Sequence, residues 1–291
     1  MEVIQNADDN LYDENVQPTI SIMVSPHFVK IECNETGFTE ENVRALCRTG
    51  RSSKKGTGYI GEKGIGFKSV FKIANRAHVR SPPYYFELDQ ERELGMITPR
   101  WDKDFFAYHP QKQQTTIVLD RISDDYEDED FASALKTDLA SLDPMVLLFL
   151  RNIDRLHLTL THSKAARHLP AISKQYLRSK EDKWCPGIVS LCNENLKLKT
   201  YFYKFEQAIG FEGRERRRPG RSETDIVLAF PVKHDSGIWK PDPQNLPTFA
   251  YLPLGYCGFW VSQRLRTLMR LLICYSSSFR RISWPRRTDN R

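Results

Sequence analysis

Two stretches of this chain carry residue types at spacings that can do chemistry. The first is EVIQNADDN at 2–10, where a helical turn of three or four residues aligns Glu2, Asn6 and Asp9 and leaves Val3, Ile4 and Ala7 for a core. A carboxylate, an amide and a further acid on one helix face form an oxygen-rich floor for a metal and a phosphate. The second is RTGRSSKKGTGYIGEKGIGFKS at 48–69, with glycines at 56, 58, 61, 64 and 66 and lysines at 54, 55, 63 and 68. Glycines let a backbone bend close to a ligand, and a helix opening after them offers N–H groups to an anion. This is the chemistry of a phosphate cradle. It is neither of two familiar ones. Gly56, Gly58 and Gly61 satisfy GxGxxG without a strand running into them, and Phe67 separates Gly66 from Lys68 and Ser69 where a Walker A turn needs Gly-Lys.

The elements that must position these residues read as an α/β order. TISIMV (19–24) and HFVKIEC (27–33) alternate and predict a hairpin, and TEENVRALC (39–47) predicts a helix with Thr39 as its N-cap. A helix is expected from about Gly66 to Ala74, with strands at 77–81, 84–88 and 115–119. SDDYEDED (123–130) precedes a further helix, whose start its carboxylates favour.

Composition narrows the class. The chain has 291 residues, 40% hydrophobic and 27% charged, the profile of a soluble globular protein of about two domains. The sequence has no apolar run of membrane-spanning length and no secretory start, so an intracellular protein, cytoplasmic or nuclear, is expected. Cysteines 33, 47, 185, 192, 257 and 274 form no CxxC pair and read as reduced thiols. The net charge of +6 sits in the last 33 residues, where eight arginines face one acid; the body is nearly neutral. RERRRPGR (214–221) contains Pro219 and Gly220 and no aromatic residue, which suits a solvated loop better than a nucleic-acid site. Neither a nucleic-acid nor a membrane partner is favoured.

Four ordered boxes resemble the GHKL superfamily of ATPases: DNA gyrase, the ninety-type heat-shock chaperones, histidine kinases and the MutL repair proteins. Glu2 and Asn6 match its ExxxN helix, CNETG (33–37) its DxGxG turn, IGEKGIGFKSVF (60–71) its glycine-rich box, and Thr115 in TTIVL its strand threonine. The branch of large plant and fungal proteins resembling No Vein, with sacsin more distant, shares the sense of these boxes over about residues 2–160. The resemblance implies a Bergerat fold, a two-layer α/β sandwich of mixed, mainly antiparallel sheet with helices on one face. It implies ATP and Mg²⁺ as cofactors, Glu2 as general base and Asn6 as magnesium ligand. Nucleotide contacts would come from Asn6, Asp9, Asn34, Gly37, Lys54, Gly61, Lys63, Gly64, Ile65, Gly66, Phe67, Lys68 and Thr115. Protein clients are left unspecified, and a dimer belongs to the complete protein.

Departures from the pattern shape the expectation. Cys33 stands where the family has its adenine-reading aspartate, and Glu35 where it has the middle glycine; Asn34 or Glu35 could substitute, while packing is the favoured role for Cys33. Glu2 lies one residue from the chain start, and 261–291 is Arg- and Ser-rich without strand alternation, so the chain reads as truncated at both ends. The expected division is an ATP-binding domain over 1–151, a partial strand-rich region resembling a transducer domain over 152–260, and a basic tail over 261–291 outside the native fold. The expected function is Mg²⁺-dependent ATP binding with weak or absent hydrolysis. The alternative is a non-catalytic fragment acting through protein contacts alone.

Overall fold

The computed structural model describes residues 2–25, 27–47, 66–107, 115–120, 142–161, 172–180, 187–210, 223–242, 249–250 and 252–253. The chain divides into two compact units, Met1–Tyr176 and Leu177–Arg291.

The first unit is an α/β body dominated by its sheet. Its strands are β1 (Thr19–Val24), β2 (Phe28–Cys33), β3 (Arg76–Ser81), β4 (Tyr84–Asp89), β5 (Arg100–Trp101), β6 (Thr115–Asp120) and β7 (Arg155–Leu160). They lie in the order β7-β1-β2-β6-β3-β4-β5. Every neighbouring pair is antiparallel except β1 and β7, which run parallel with Thr19 opposite Arg155 and Val24 opposite Leu160. A mixed, mainly antiparallel sheet is therefore present. Among the described residues few helices accompany it: α1 (Glu2–Asp8), α2 (Glu40–Cys47), the four-residue α3 (Asp104–Ala107), and 3-10 segments at Gly66–Lys72 and Pro144–Leu148.

The registers assign side chains to faces, because residues opposite one another share a face and neighbours along a strand alternate. One face carries Ile20, Ile22 and Val24 of β1, Val29, Ile31 and Cys33 of β2, Ile117 and Leu119 of β6, Ala77 and Val79 of β3, and Phe86 and Leu88 of β4. All are buried, together with Ile4 and Ala7 of α1, Phe67 and Val70, and Val146 to Leu148. The β-branched residues of these strands fit a pleated, half-covered surface, and their burial drives the unit together. The opposite face carries Lys30, Glu32, Arg76, His78, Glu87, Asp89, Thr116 and Asp120.

The strands expected at 19–24, 27–33, 77–81, 84–88 and 115–119 and the helix expected at 39–47 appear within a residue of those bounds, and α1 covers Glu2–Asp8 of the stretch at 2–10. The segment expected as a helix over Gly66 to Ala74 is a 3-10 segment ending at Lys72. The boundary expected after residue 151 falls on a turn that α1 holds, and β7 beyond it remains paired to β1.

The second unit contains an antiparallel meander of β9 (Ile188–Asn193), β10 (Leu198–Gly210), β11 (Glu223–Asp235) and β12 (Ile238–Pro241), joined at its tip by Ser236 and Gly237. Strand β8 (Ile172–Lys180) spans the division between the units. The basic cluster at 214–221, the helix expected after residue 130 and the tail at 261–291 lie outside the described residues.

Candidate functional site

The ends of α1, β2, β3 and β6 meet through a chain of short polar contacts. The first link is Tyr12, beyond α1, whose hydroxyl donates to the Ala7 carbonyl at 2.8 Å. The same oxygen lies 3.0 Å from Cys33 Sγ. A phenol has one hydrogen, already given to Ala7, so the thiol is the donor. Burial, first of all, and the nearby Glu35 charge push the Cys33 thiol up to about 12. The Tyr12 hydroxyl is raised for the same leading reason, with Cys33, Glu35 and Asp8 adding to it. Cys33 thus packs as a protonated donor at the end of β2, the role its place in an alternating strand suggested.

The turn after β2 supplies the second link. Thr36 N–H donates to the Leu11 carbonyl at 2.9 Å, and Gly37 takes φ of 101°, a left-handed conformation that glycine adopts without a Cβ penalty. Phe38 N–H then reaches Ser81 Oγ at 2.7 Å, and that hydroxyl pairs with Thr115 Oγ1 at 2.7 Å. Ser81 and Thr115 are both buried, Thr115 directly opposite Cys33. Finally α1 packs against the 3-10 segment Gly66–Lys72, placing the helix of Asn6 beside the turn of Phe67.

Of the expected residues, Thr115 is itself in this chain of contacts, Gly37 lies in the turn it anchors, and Asn6 and Phe67 lie on the two elements that pack together. Asn6 and Asp9 are half-buried, and the Asp9 N–H extends α1 by bonding to the Gln5 carbonyl at 3.0 Å. Two other expected residues are directed elsewhere. Asn34 accepts the Thr19 N–H at 2.7 Å through Oδ1 and donates through Nδ2 to the Gln17 carbonyl at 2.8 Å, so its amide pins the entry to β1. Lys68 Nζ donates to the Met96 carbonyl and lies 5.9 Å over the Phe71 ring. Burial holds its ammonium below the ordinary lysine range, opposed by the neighbouring Cys47. Cys47 is in turn raised by burial and held back by Lys68, which sets the end of α2 beside the 3-10 segment. Lys54, Gly61, Lys63, Gly64, Ile65 and the Glu2 side chain lie outside the described residues, and Gly66 is described in its backbone alone.

Three residues that hold this region went unread in the sequence. Asp8, fully buried, accepts three backbone N–H groups: Arg151 at 2.9 Å, Asn152 at 2.8 Å and Ile153 at 2.9 Å. Asn152 Nδ2 returns a bond to the Asp8 carbonyl at 2.6 Å. The signal was a second acid beside Asp9, which the helix period turns away from Asn6. Tyr12 and Ser81 bear no periodic signal, since their roles depend on contacts across 21 and 34 residues of sequence.

Half-buried Asn6 and Asp9 on a short helix, buried Glu35 in a glycine turn and buried Thr115 at the start of β6 are among the polar residues that these elements carry. No family model matches the chain. It is similar to Protein NO VEIN of Arabidopsis thaliana, 46% identical over 101 residues, which is 34% of this chain and 4% of that protein. The chain thus spans a small part of that relative's length. Among solved structures it is similar to one described as the N terminal domain of a DNA repair protein, 14% identical, covering 59% of this chain and 47% of that one, with a TM-score of 0.34.

Proposed function

We propose that the first unit is a Mg²⁺-dependent ATP-binding module of the GHKL type, on a Bergerat-like sheet. The observation that supports this reading best is the linked cluster of α1, the Cys33–Phe38 turn and Thr115, which brings residues from three of the four sequence boxes together. The residues suit the group. Magnesium takes oxygen ligands and keeps several waters, so the half-buried Asn6 amide oxygen is an apt single contact, with Asp9 as a further acid nearby. Backbone N–H groups of the Gly64–Phe67 stretch would hold the phosphates, and Glu2 would orient water. Cys33 bonds Tyr12 and Asn34 holds the β1 entry, and the buried carboxylate of Glu35 in the same turn would read an adenine amine.

The test is a calorimetric titration of the chain with a non-hydrolysable ATP analogue, with and without Mg²⁺. Saturable binding that strengthens with Mg²⁺ and weakens at least tenfold in Asn6→Ala is expected, about 1.4 kcal/mol or more. Heat of dilution alone in both arms sinks the proposal. Steady-state phosphate release should be low and depend on Glu2. The second reading, an interaction fragment without catalysis, draws on the exchange of the usual aspartate for a thiol bonded to Tyr12. Binding of the analogue without any Mg²⁺ dependence or turnover would favour it.

A further inference from the structure

The polar face of the sheet, opposite the face that carries Cys33 and Thr115, holds a buried histidine among carboxylates. His78 of β3 is 3% exposed and Glu87, directly across on β4, is 1% exposed. The His78 ring stacks on Phe105 with centroids 3.6 Å apart and planes 4° from parallel, which fixes its orientation. Its Nε2 lies 3.3 Å from Asp120 Oδ2 at the end of β6. Its Nδ1 is buried without a hydrogen-bond partner and faces Glu87 Oε2 at 3.9 Å and Asp102 Oδ2 at 4.0 Å.

The chemistry of these atoms is one-sided. In the tautomer whose Nε2–H is given to Asp120, the imidazole offers a lone pair at Nδ1, where the Glu87 and Asp102 carboxylate oxygens also converge. That tautomer leaves three acceptors facing one point. The neighbouring cations hold chiefly to other atoms: Arg100 forms an ion pair with Glu87 Oε1 at 2.8 Å, and Arg76 binds Asp89 at 2.9 Å and reaches Glu87 Oε2 only at 3.9 Å. On this patch the four carboxylates of Glu87, Asp89, Asp102 and Asp120 outnumber the guanidinium groups of Arg76 and Arg100 by two, a balance that a divalent cation suits.

We propose that His78 Nδ1, Glu87 Oε2 and Asp102 Oδ2 form a site for a divalent transition cation of the Zn²⁺ class. All three atoms lie within 4.8 Å of one another. Ligand atoms about 2.0–2.2 Å from a tetrahedral ion lie roughly 3.3–3.6 Å from one another, so the histidine gaps of 3.9 and 4.0 Å and the wider carboxylate gap must each contract, which rotation of the two carboxylates about their side-chain bonds can supply. Asp120 holding the distal ring nitrogen is the carboxylate–histidine arrangement that fixes a metal-binding tautomer. Asp102 is oriented by its other oxygen, which accepts the Phe105 N–H at 3.2 Å and starts α3. The Asp102 and Asp120 side chains, 23% and 28% exposed, give the entry path and leave room for water in the remaining coordination positions. An imidazole with two carboxylates suits zinc or manganese better than magnesium or calcium.

Titration of the full chain with Zn²⁺ alone, followed by calorimetry and by ¹⁵N resonances of the histidine rings, tests the site. The chain has 7 histidines and 6 cysteines, so variants carry the comparison. One equivalent of Zn²⁺ should shift the His78 Nδ1 resonance and leave Nε2 protonated, while Mg²⁺ moves neither. Asp102→Asn, at a partly exposed position that keeps its bond to Phe105, should weaken the site at least tenfold. Asp120→Asn should weaken it by about 10- to 100-fold, as loss of an orienting carboxylate does. Zinc binding undiminished in both variants would overturn the proposal. So would a His78 ring that keeps a proton on both nitrogens after zinc is added, which would mean that an imidazolium bridges the carboxylates.

Discussion

The carboxylate of Asp8 accepts the backbone N–H of Asn152 at 2.8 Å, across 144 residues of sequence. With Arg151 and Ile153 on the same carboxylate, one side chain fastens the end of α1 to the turn that starts β7. Each buried N–H left without an acceptor costs about 1–3 kcal/mol, so Asp8→Ala should lower the unfolding free energy by roughly 3–5 kcal/mol in urea. Asp9→Asn, one residue on, should act chiefly on the titration with the ATP analogue. Equal effects of both substitutions on stability would contradict the division of labour between these two acids.

Ser81 links a turn to a strand. Ser81→Ala strands the Phe38 N–H and the buried Thr115 hydroxyl together, while Thr115→Val removes one bond and leaves Phe38 satisfied. The first should cost about 1–3 kcal/mol and the second about 1 kcal/mol. A double-mutant cycle should give a coupling of at least about 0.5 kcal/mol; strict additivity would show that the two hydroxyls act independently.

Gly37 sits at φ of 101° between two anchored residues. Gly37→Ala forces a Cβ into a left-handed backbone at a strain of about 1–2 kcal/mol. Loss of stability together with weaker ATP-analogue binding is the expected result. Unchanged binding would separate this turn from the site.

Alkaline stability follows from Cys33. Its folded value of about 12 exceeds the ordinary 9.0, so the unfolded chain gives up this proton first as pH rises. The stabilisation is whole below about pH 9 and is lost as pH climbs towards 12, at up to about 1.4 kcal/mol per pH unit. Tyr12, raised by the same burial, steepens the fall above pH 10. Urea midpoints from pH 8 to 11 check this, and Cys33→Ser should change the slope at its lower end. A slope that Cys33→Ser leaves untouched would assign the alkaline loss to other groups.

The sheet was legible because alternation and register describe the same physics: Ile20, Ile22 and Val24 face the core at every second residue, as do Val29, Ile31 and Cys33. α1 was legible for its apolar Ile4 and Ala7. The roles of Asp8, Asn34 and Ser81 were hidden, because a buried polar residue takes its meaning from whichever backbone group tertiary contact brings to it. Asn34 looked suited to a ligand and holds Thr19; Asp8 looked like one more acid and holds β7. The parallel pairing of β1 with β7 left no trace in local pattern, since it joins Ser21 to His157 across 136 residues.

That pairing sets an order of events during synthesis. β2 follows β1 within a few residues and can close a hairpin as it emerges, but the other edge of β1 must wait for β7. At roughly 5–20 residues per second the wait is about 7–27 s, in which a strand of TISIMV offers unpaired N–H and C=O groups to any extended chain nearby. The nascent protein is therefore most open to misassociation before residue 160 leaves the ribosome. A chaperone that covers the β1 edge over that interval should raise the yield of folded chain, and one added after release should not.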